Sequence, residues 1–367
     1  MRPVRAYRVI LVALAGALAA VPCARSLGAQ EQAPRQVTIR VVTALEGSPV
    51  AYSVIAAPAL GLERFTGPAG SIVLPVPAAG RVRITVKRLG FTPTDTTIAV
   101  SGAATQEFTI GLARLSFQLD EVRVVDWPPC MRPGIPRRGG DAQVRAVVEQ
   151  LRENADRFSL LARQHPFAYR AERTLGRTNA AGVDSIERVD TIPVSGTPPW
   201  RYRPGTLVSA RVDERTRSGI LWSMHLPTLR DLGDDAFIDN HCFHVAGLEE
   251  KEGRQLLRLD IVAAERLRTP DVNAAVWLDP TDFQLRYATF VLTKVPPELL
   301  SLRAHSSQVE FGELIPFVPV MQMVLGESIV LDLSAAQELL LFERQRIVRM
   351  EFRGPPPEGF VDPVPPR

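Results

Sequence analysis

In Gly80 to Pro93, GRVRITVKRLGFTP, the apolar residues Val82, Ile84 and Val86 alternate with Arg81, Arg83, Thr85 and Lys87. The run then meets Leu89-Gly90-Phe91 and stops at a proline. A period of two marks a strand with one buried and one solvated face. The same period begins at Gln36, where Val37, Ile39 and Val41 line one side of QVTIRVVT. It returns in AYSVIAAP, around Arg64 to Thr66, in SIVLPV, at Thr96 to Val100 and at Gln106 to Leu112. Glu46-Gly47-Ser48-Pro49 and Gly67-Pro68-Ala69-Gly70 supply turns between the runs. Short strands at this spacing predict a seven-strand-type β-sandwich over residues 36–125.

The pattern changes after a stiff, turn-rich linker, 126–140, whose sequence DWPPCMRPGIPRRGG is dense in proline and glycine. Asp141 can cap a helix in which Val144, Val147, Val148, Leu151, Ala155, Phe158 and Leu161 share one face. Arg145, Glu149, Arg152, Glu153 and Arg157 fall away from that face and are expected in solvent. The helix should end at His165-Pro166, because the residue before a proline resists helical angles. Strand-like runs follow: FAYRAERTL, DSIERVDTI, TLVSARV, RQLLRLDIV, NAAVWLD, FQLRYATFVLT, QVEFGEL, ESIVLDL and RIVRMEF. Asn273 to Thr293 reads as a hairpin turning at Asp279-Pro280-Thr281-Asp282. The fold expected is mainly β: the sandwich, then an α+β domain over 141–353 with a large curved antiparallel sheet and one covering helix. The proline-rich end, 354–367, is expected to be a disordered tail.

Residues 1–29 read as a secretory signal peptide: Arg2, Arg5 and Arg8 precede the apolar run Val9 to Val21, and small residues recur up to Ala29. Cys23 invites a lipoprotein reading, but Pro22 stands where such signals want a small residue. Four of the 43 basic residues lie in this leader and no acidic one does, leaving 39 basic against 40 acidic. A near-neutral mature chain has no electrostatic reason to seek nucleic acid. No later stretch is long and apolar enough for a transmembrane helix. Localisation is therefore expected to be extracytoplasmic: periplasmic, associated with the outer membrane, or secreted. In an oxidising compartment the two cysteines left after export, Cys130 and Cys242, are expected to form a disulfide.

Two resemblances add to this reading. The order of strand, Gly-Ser-Pro-Val turn, strand, Gly-Pro-Ala-Gly turn, SIVLPVP, RVRITVKRLGFTP and the closing LDEVRVV resembles the carboxypeptidase regulatory-like domain, a transthyretin-like sandwich, although the family's usual Gly-x-Val start is QVTIRVV here. It implies a non-catalytic accessory module, and no zinc-peptidase residues accompany it. The helix, the meander and the WLDPTDFQLRYATF hairpin resemble the half-barrel of lipoprotein-carrier and related periplasmic lipid-binding proteins.

Several residue sets could carry chemistry. His241 and His244 in HCFH are metal candidates, which in a strand would point to opposite faces. Asp231, Asp234, Asp235 and Asp239 offer a carboxylate pair for a hydrolase. No Gly-x-Ser-x-Gly elbow or glycine-rich phosphate loop is present, and Ser195-Gly196 lies in a proline-rich loop. Trp200 and Tyr202 in PPWRYRPG are candidate stacking residues or a loop anchor. In Leu314 to Leu325, LIPFVPVMQMVL, Pro316 and Pro319 argue against a central strand, so the stretch is expected as a core edge or as a loop lining an apolar cavity; Phe317, Met321 and Met323 in it are candidate apolar ligand contacts. The expected function is that of an exported, non-enzymatic binding or structural protein of the cell envelope, with an envelope protein, glycan or lipid as partner and no cofactor. The alternatives are a periplasmic carrier of a lipid or other apolar ligand, and a hydrolase using the loop 231–239.

Overall fold

The computed structural model describes residues 35–76, 80–101, 105–116, 128–136, 141–179, 182–212, 220–332 and 337–360. The leader, the LDEVRVV stretch and the end beyond residue 360 lie outside the described residues. The first seven strands are β1 (Arg35–Thr43), β2 (Val54–Ala57), β3 (Leu62–Phe65), β4 (Ser71–Val76), β5 (Gly80–Lys87), β6 (Thr94–Val100) and β7 (Thr105–Leu112). They form a three-stranded sheet, β4-β1-β7, and a four-stranded sheet, β3-β2-β5-β6. Val37, Ile39 and Val41 from the first pack with Ile55, Ile84, Val86 and Ile98 from the second. The period-two residues are thus the sandwich core.

The helix α1 (Ala142–Gln164) has the bounds its sequence dictates: the Asp141 carboxylate accepts hydrogen bonds from the Gln143 and Val144 amides, and His165 caps the other end. The remaining strands are β8 (Phe167–Thr178), β9 (Asp184–Ser195), β10 (Val208–Val212), β11 (Ile220–Met224), β12 (His241–Lys251), β13 (Arg254–Ala263), β14 (Val272–Leu278), β15 (Leu285–Leu292), β16 (Leu302–Ile315), β17 (Val318–Asp332) and β18 (Gln337–Phe352). Two short helices, α2 (Leu229–Leu232) and α3 (Asp235–Ile238), precede β12. Nine strands make one antiparallel sheet in the order β12-β13-β14-β15-β16-β17-β18-β8-β9. Register shifts in five of its ladders bend it. β10 and β11 form a separate hairpin. The apolar stripe of α1 packs with Leu257, Leu259, Val276, Ala288 and Phe290 on the sheet.

Leu314 to Leu325 is not a loop. It belongs to two paired strands, β16 and β17, joined by the turn Pro316-Phe317. Pro316 sits in the turn, where no ladder amide is needed. Pro319 pairs with Glu313 beside a register shift, so the missing donor falls where the ladder is already interrupted.

A second correction concerns the polar side of α1. Glu153 and Arg157, expected in solvent, are buried, as are Gln150 and Asn154. These four recur at helical spacing and form a polar stripe beside the apolar one. Its partners are turns whose backbone adopts the left-handed region: Tyr52 (φ 53), Gly90 (φ 79), Phe283 (φ 57) and Phe317 (φ 64). The Gly90 amide donates to Gln150 Oε1 at 2.8 Å. Asn154 donates to the Phe283 carbonyl at 2.9 Å and accepts from the Leu285 amide at 3.0 Å. Arg157 donates from Nε to the Phe317 carbonyl at 2.6 Å and from Nη2 to the Tyr52 carbonyl at 2.7 Å. Its guanidinium also lies 3.6 Å from Glu153. Non-glycine residues held at positive φ cost about 1–3 kcal/mol each and persist only where their surroundings enforce them. Here one helix face supplies that enforcement, and it ties the first seven strands to the β16–β17 hairpin.

Leu89-Gly90-Phe91 belongs to this junction. A Cβ on Gly90 would meet the Thr281 carbonyl at 3.2 Å and the Asp282 Cα at 3.3 Å, so the turn rests directly on the Asp279–Asp282 turn of the large sheet. Arg88, next in the chain, stacks over the Phe317 ring at 3.4 Å. Burial, with the nearby Arg157 charge, pushes its guanidinium down to about 9.

Candidate functional site

On the face of the sheet covered by α1 lies a cavity of about 300 Å³. Its floor comes from alternate residues of the strands: Tyr169 of β8, Val194 of β9, Val309 and Phe311 of β16, and Pro319, Met321 and Val324 of β17. Phe158 of α1 forms part of the wall. The segments 194–201 and 224–230, each containing proline, close the rim. A mostly apolar cleft of a few hundred cubic ångströms with a few polar groups is the usual form of a small-molecule site.

The rim is built by stacking and capping. Trp200 lies flat on His225, ring centres 5.2 Å apart and planes 13° apart. Behind it Tyr202 is buried. Its amide donates to the Asp231 carboxylate at 3.1 Å and its hydroxyl to Asp271 at 2.7 Å. Burial and the Asp271 charge raise that phenol above the usual tyrosine range. The Asp271 carboxylate also accepts from the Val272 amide and lies 3.3 Å from His241 Nε2. His241 stacks on Phe237 at 3.9 Å, its Nδ1 facing the Phe237 carbonyl at 2.7 Å. This buried set joins the rim segments to the sheet. Every polar atom in it that could do chemistry is engaged in a fixed contact.

The sequence candidates are distributed as follows. Of Phe317, Met321 and Met323, only Met321 lines the cavity. Phe317 is at the interlayer junction under Arg88, its ring 6.2 Å from that of Tyr52. Met323 follows the irregular pairing between Glu310 and Phe311 and is absent from the cavity lining. Trp200 is at the rim and Tyr202 behind it. Cys130 and Cys242 are joined by a disulfide, with Cα atoms 5.5 Å apart, which pins the segment around residue 130 to β12. His241 and His244 point to opposite sides of β12, His241 inward with the contacts just given. Among the described residues no three His, Cys, Asp or Glu side chains come together as a metal site.

The loop 231–239 is mostly helical. Asp231 closes a capping box with Thr228 at the start of α2, Asp234 caps α3, and Asp235 pairs with Arg152. These three carboxylates are spent on helix ends and an ion pair, not converged on a common point.

Tyr169, Val194, Val309 and Phe311 were not singled out in the sequence. They read as ordinary strand residues, and only the pairing of β8, β9, β16 and β17 in one sheet collects them. Another buried histidine, His305, is held between the hydroxyls of Ser328 (2.8 Å) and Ser307 (3.0 Å). Burial pushes its imidazole down to about 4. It lies against Trp222 of the β10–β11 hairpin and is not in the cavity lining.

No family model matches the sequence, and no curated protein matches it. Among solved structures, the chain is similar to a DUF1329 family protein from Desulfovibrio piger ATCC 29098, at 11% identity and a TM-score of 0.31, covering 56% of this chain and 93% of that one. It is also similar to a LolA superfamily protein from Nitrosomonas europaea, at 12% identity and a TM-score of 0.28, covering 58% of this chain and 97% of that one. Among the described residues no helix is long and apolar enough to cross a membrane.

Proposed function

We propose that this is an exported, non-catalytic binding protein of the cell envelope that holds a small apolar ligand between its large sheet and α1. The observation that carries the reading is the cavity, walled by Phe158, Val309, Phe311, Met321 and Val324. Methionine suits such a wall because its unbranched, polarisable side chain adapts to irregular apolar shapes. The engagement of Asp231, Asp234 and Asp235 in caps and an ion pair favours binding over hydrolysis in this region. Export is supported by the leader pattern in 1–29 and by the disulfide, which persists in oxidising compartments. The first seven strands are read as a carboxypeptidase regulatory-like accessory sandwich joined to the polar stripe of α1.

The test is titration of the purified protein with the fluorescent apolar probe N-phenylnaphthylamine. Saturable binding with one probe per chain is expected, and Met321→Trp, which fills the cavity, should abolish it while leaving the circular dichroism spectrum unchanged. No saturable binding to the wild type, or binding indifferent to Met321→Trp, would overturn the reading.

A further inference from the structure

Tyr169 lines the cavity and is only 3% exposed. Its hydroxyl is buried and, among the described residues, has no hydrogen-bond partner. Buried hydroxyls are nearly always satisfied, because an unpaired one forfeits its hydrogen bonds to water with nothing in return. The contrast with Tyr202 is direct, since that equally buried phenol donates to Asp271. An unpaired donor on the wall of an apolar cavity is a place for an acceptor carried by the ligand. The surroundings narrow the kind of acceptor. Tyr169 packs edge-on against Phe167 at 5.2 Å, pairs across the ladder with Val194, and shares its apolar cluster with Leu161, Ala171, Ile347 and Met350. The cavity's two arginines, Arg201 and Arg230, stand on its rim segments. In the apolar cluster around the Tyr169 ring a carboxylate pays a heavy desolvation cost, whereas a neutral carbonyl oxygen needs only one donor. Burial also raises the phenol above its usual range, so it stays protonated as a donor at any physiological pH.

Building on the cavity reading above, we propose that the ligand is a neutral acyl ester or acyl amide whose carbonyl oxygen accepts a hydrogen bond from the Tyr169 hydroxyl, with its hydrocarbon chain lying along Phe311 and Met321. The hydroxyl fixes the ligand's register, and the apolar wall supplies most of the affinity.

Displacement of N-phenylnaphthylamine by three compounds of equal chain length tests this: lauroylglycerol, an ester; N-lauroylethanolamine, an amide; and O-dodecylglycerol, an ether without the carbonyl. One hydrogen bond is worth about threefold to tenfold in affinity, so at least one carbonyl compound should bind that much more tightly than the ether, and the tighter of the two identifies the source. Tyr169→Phe should remove the preference, bringing the carbonyl compounds to the affinity of the ether. Because the variant deletes an unpaired hydroxyl, its melting temperature without ligand should equal or exceed that of the wild type. Equal binding of all three compounds by the wild type, or a preference that survives Tyr169→Phe, would overturn the carbonyl assignment and leave the cavity reading standing. Failure of all three and of the probe would overturn both. A clear drop in the ligand-free melting temperature would show that the hydroxyl has a structural partner and would also overturn the assignment.

Discussion

Replacing Arg157 by alanine removes the group on which the junction between the first seven strands and the large sheet depends. The side chain is fully buried. Two carbonyls, those of Tyr52 and Phe317, lose their donor, and Glu153 loses its cationic partner. Hydrogen bonds from a charged donor contribute about 1.5–3 kcal/mol each, and breaking a buried ion pair by deleting one partner costs about 3–5 kcal/mol. These terms overlap, because the same guanidinium makes all of them, so a loss of about 3–5 kcal/mol is expected for the whole substitution. Glu153 limits the damage: burial already pushes its carboxyl up to about 7, against the pull of Arg157 and Lys87, so without Arg157 it can take a proton instead of remaining as a buried anion. Two further variants divide the effect. Lysine at 157 should recover only part of the loss, since a single ammonium cannot reproduce the fork that spans two carbonyls. The double variant Arg157→Met, Glu153→Met should recover the charge penalty and retain the cost of the carbonyls. Urea unfolding followed by circular dichroism gives the measurement. If the junction holds the layers together, Arg157→Ala should also lower the slope of the transition or split it, as the layers cease to unfold as one. Because Phe158 is the next residue and walls the cavity, probe binding should weaken too. A loss below about 1 kcal/mol with an unchanged slope would refute this account of the junction.

Two further outcomes are expected. The carboxyl of Glu153 is raised from the ordinary 4.5 to about 7 chiefly by burial, so the native state binds its proton more tightly than the unfolded chain does, and its contribution to stability is lost as pH rises through that window. Glu153→Gln does not titrate, so its stability relative to the wild type should improve by on the order of 1–3 kcal/mol between about pH 5 and about pH 8; a difference that stays flat with pH would refute the assignment. Gly90→Ala should destabilise by more than about 1 kcal/mol, because φ is +79 and the new methyl would press on the Thr281 carbonyl; equal melting temperatures would show that the turn can move away.

Much of the backbone could be read from local chemistry. The period of two in β1, β5 and the later strands reflects one face buried against a core, and Asp141 and Pro166 bound α1 because capping and proline sterics act over a few residues. The turn at Asp279–Asp282 formed for the same reason: the Asp279 side chain accepts from Thr281 within the turn itself. The disulfide followed from there being only two cysteines beyond residue 29. Proline misled at Leu314 to Leu325, since its cost depends on whether the ladder needs the missing donor at that register, which is a property of the partner strand.

What the sequence by itself determined was therefore strand, turn and helix. Tertiary structure alone decided which side of α1 is polar and buried. Arg157 looks like a solvent residue until carbonyls 105 and 160 positions away in the chain arrive to accept its protons. It likewise made a cavity of Tyr169, Phe311 and Met321, which are unremarkable in their own strands. The opening motif changes meaning on the same ground. Leu89-Gly90-Phe91 ends a strand by local rules, but its glycine is required by the turn of a distant hairpin packed against it. Local stereochemistry sets dihedral preferences over a few residues, whereas burial, desolvation and unpaired donors exist only once distant segments meet.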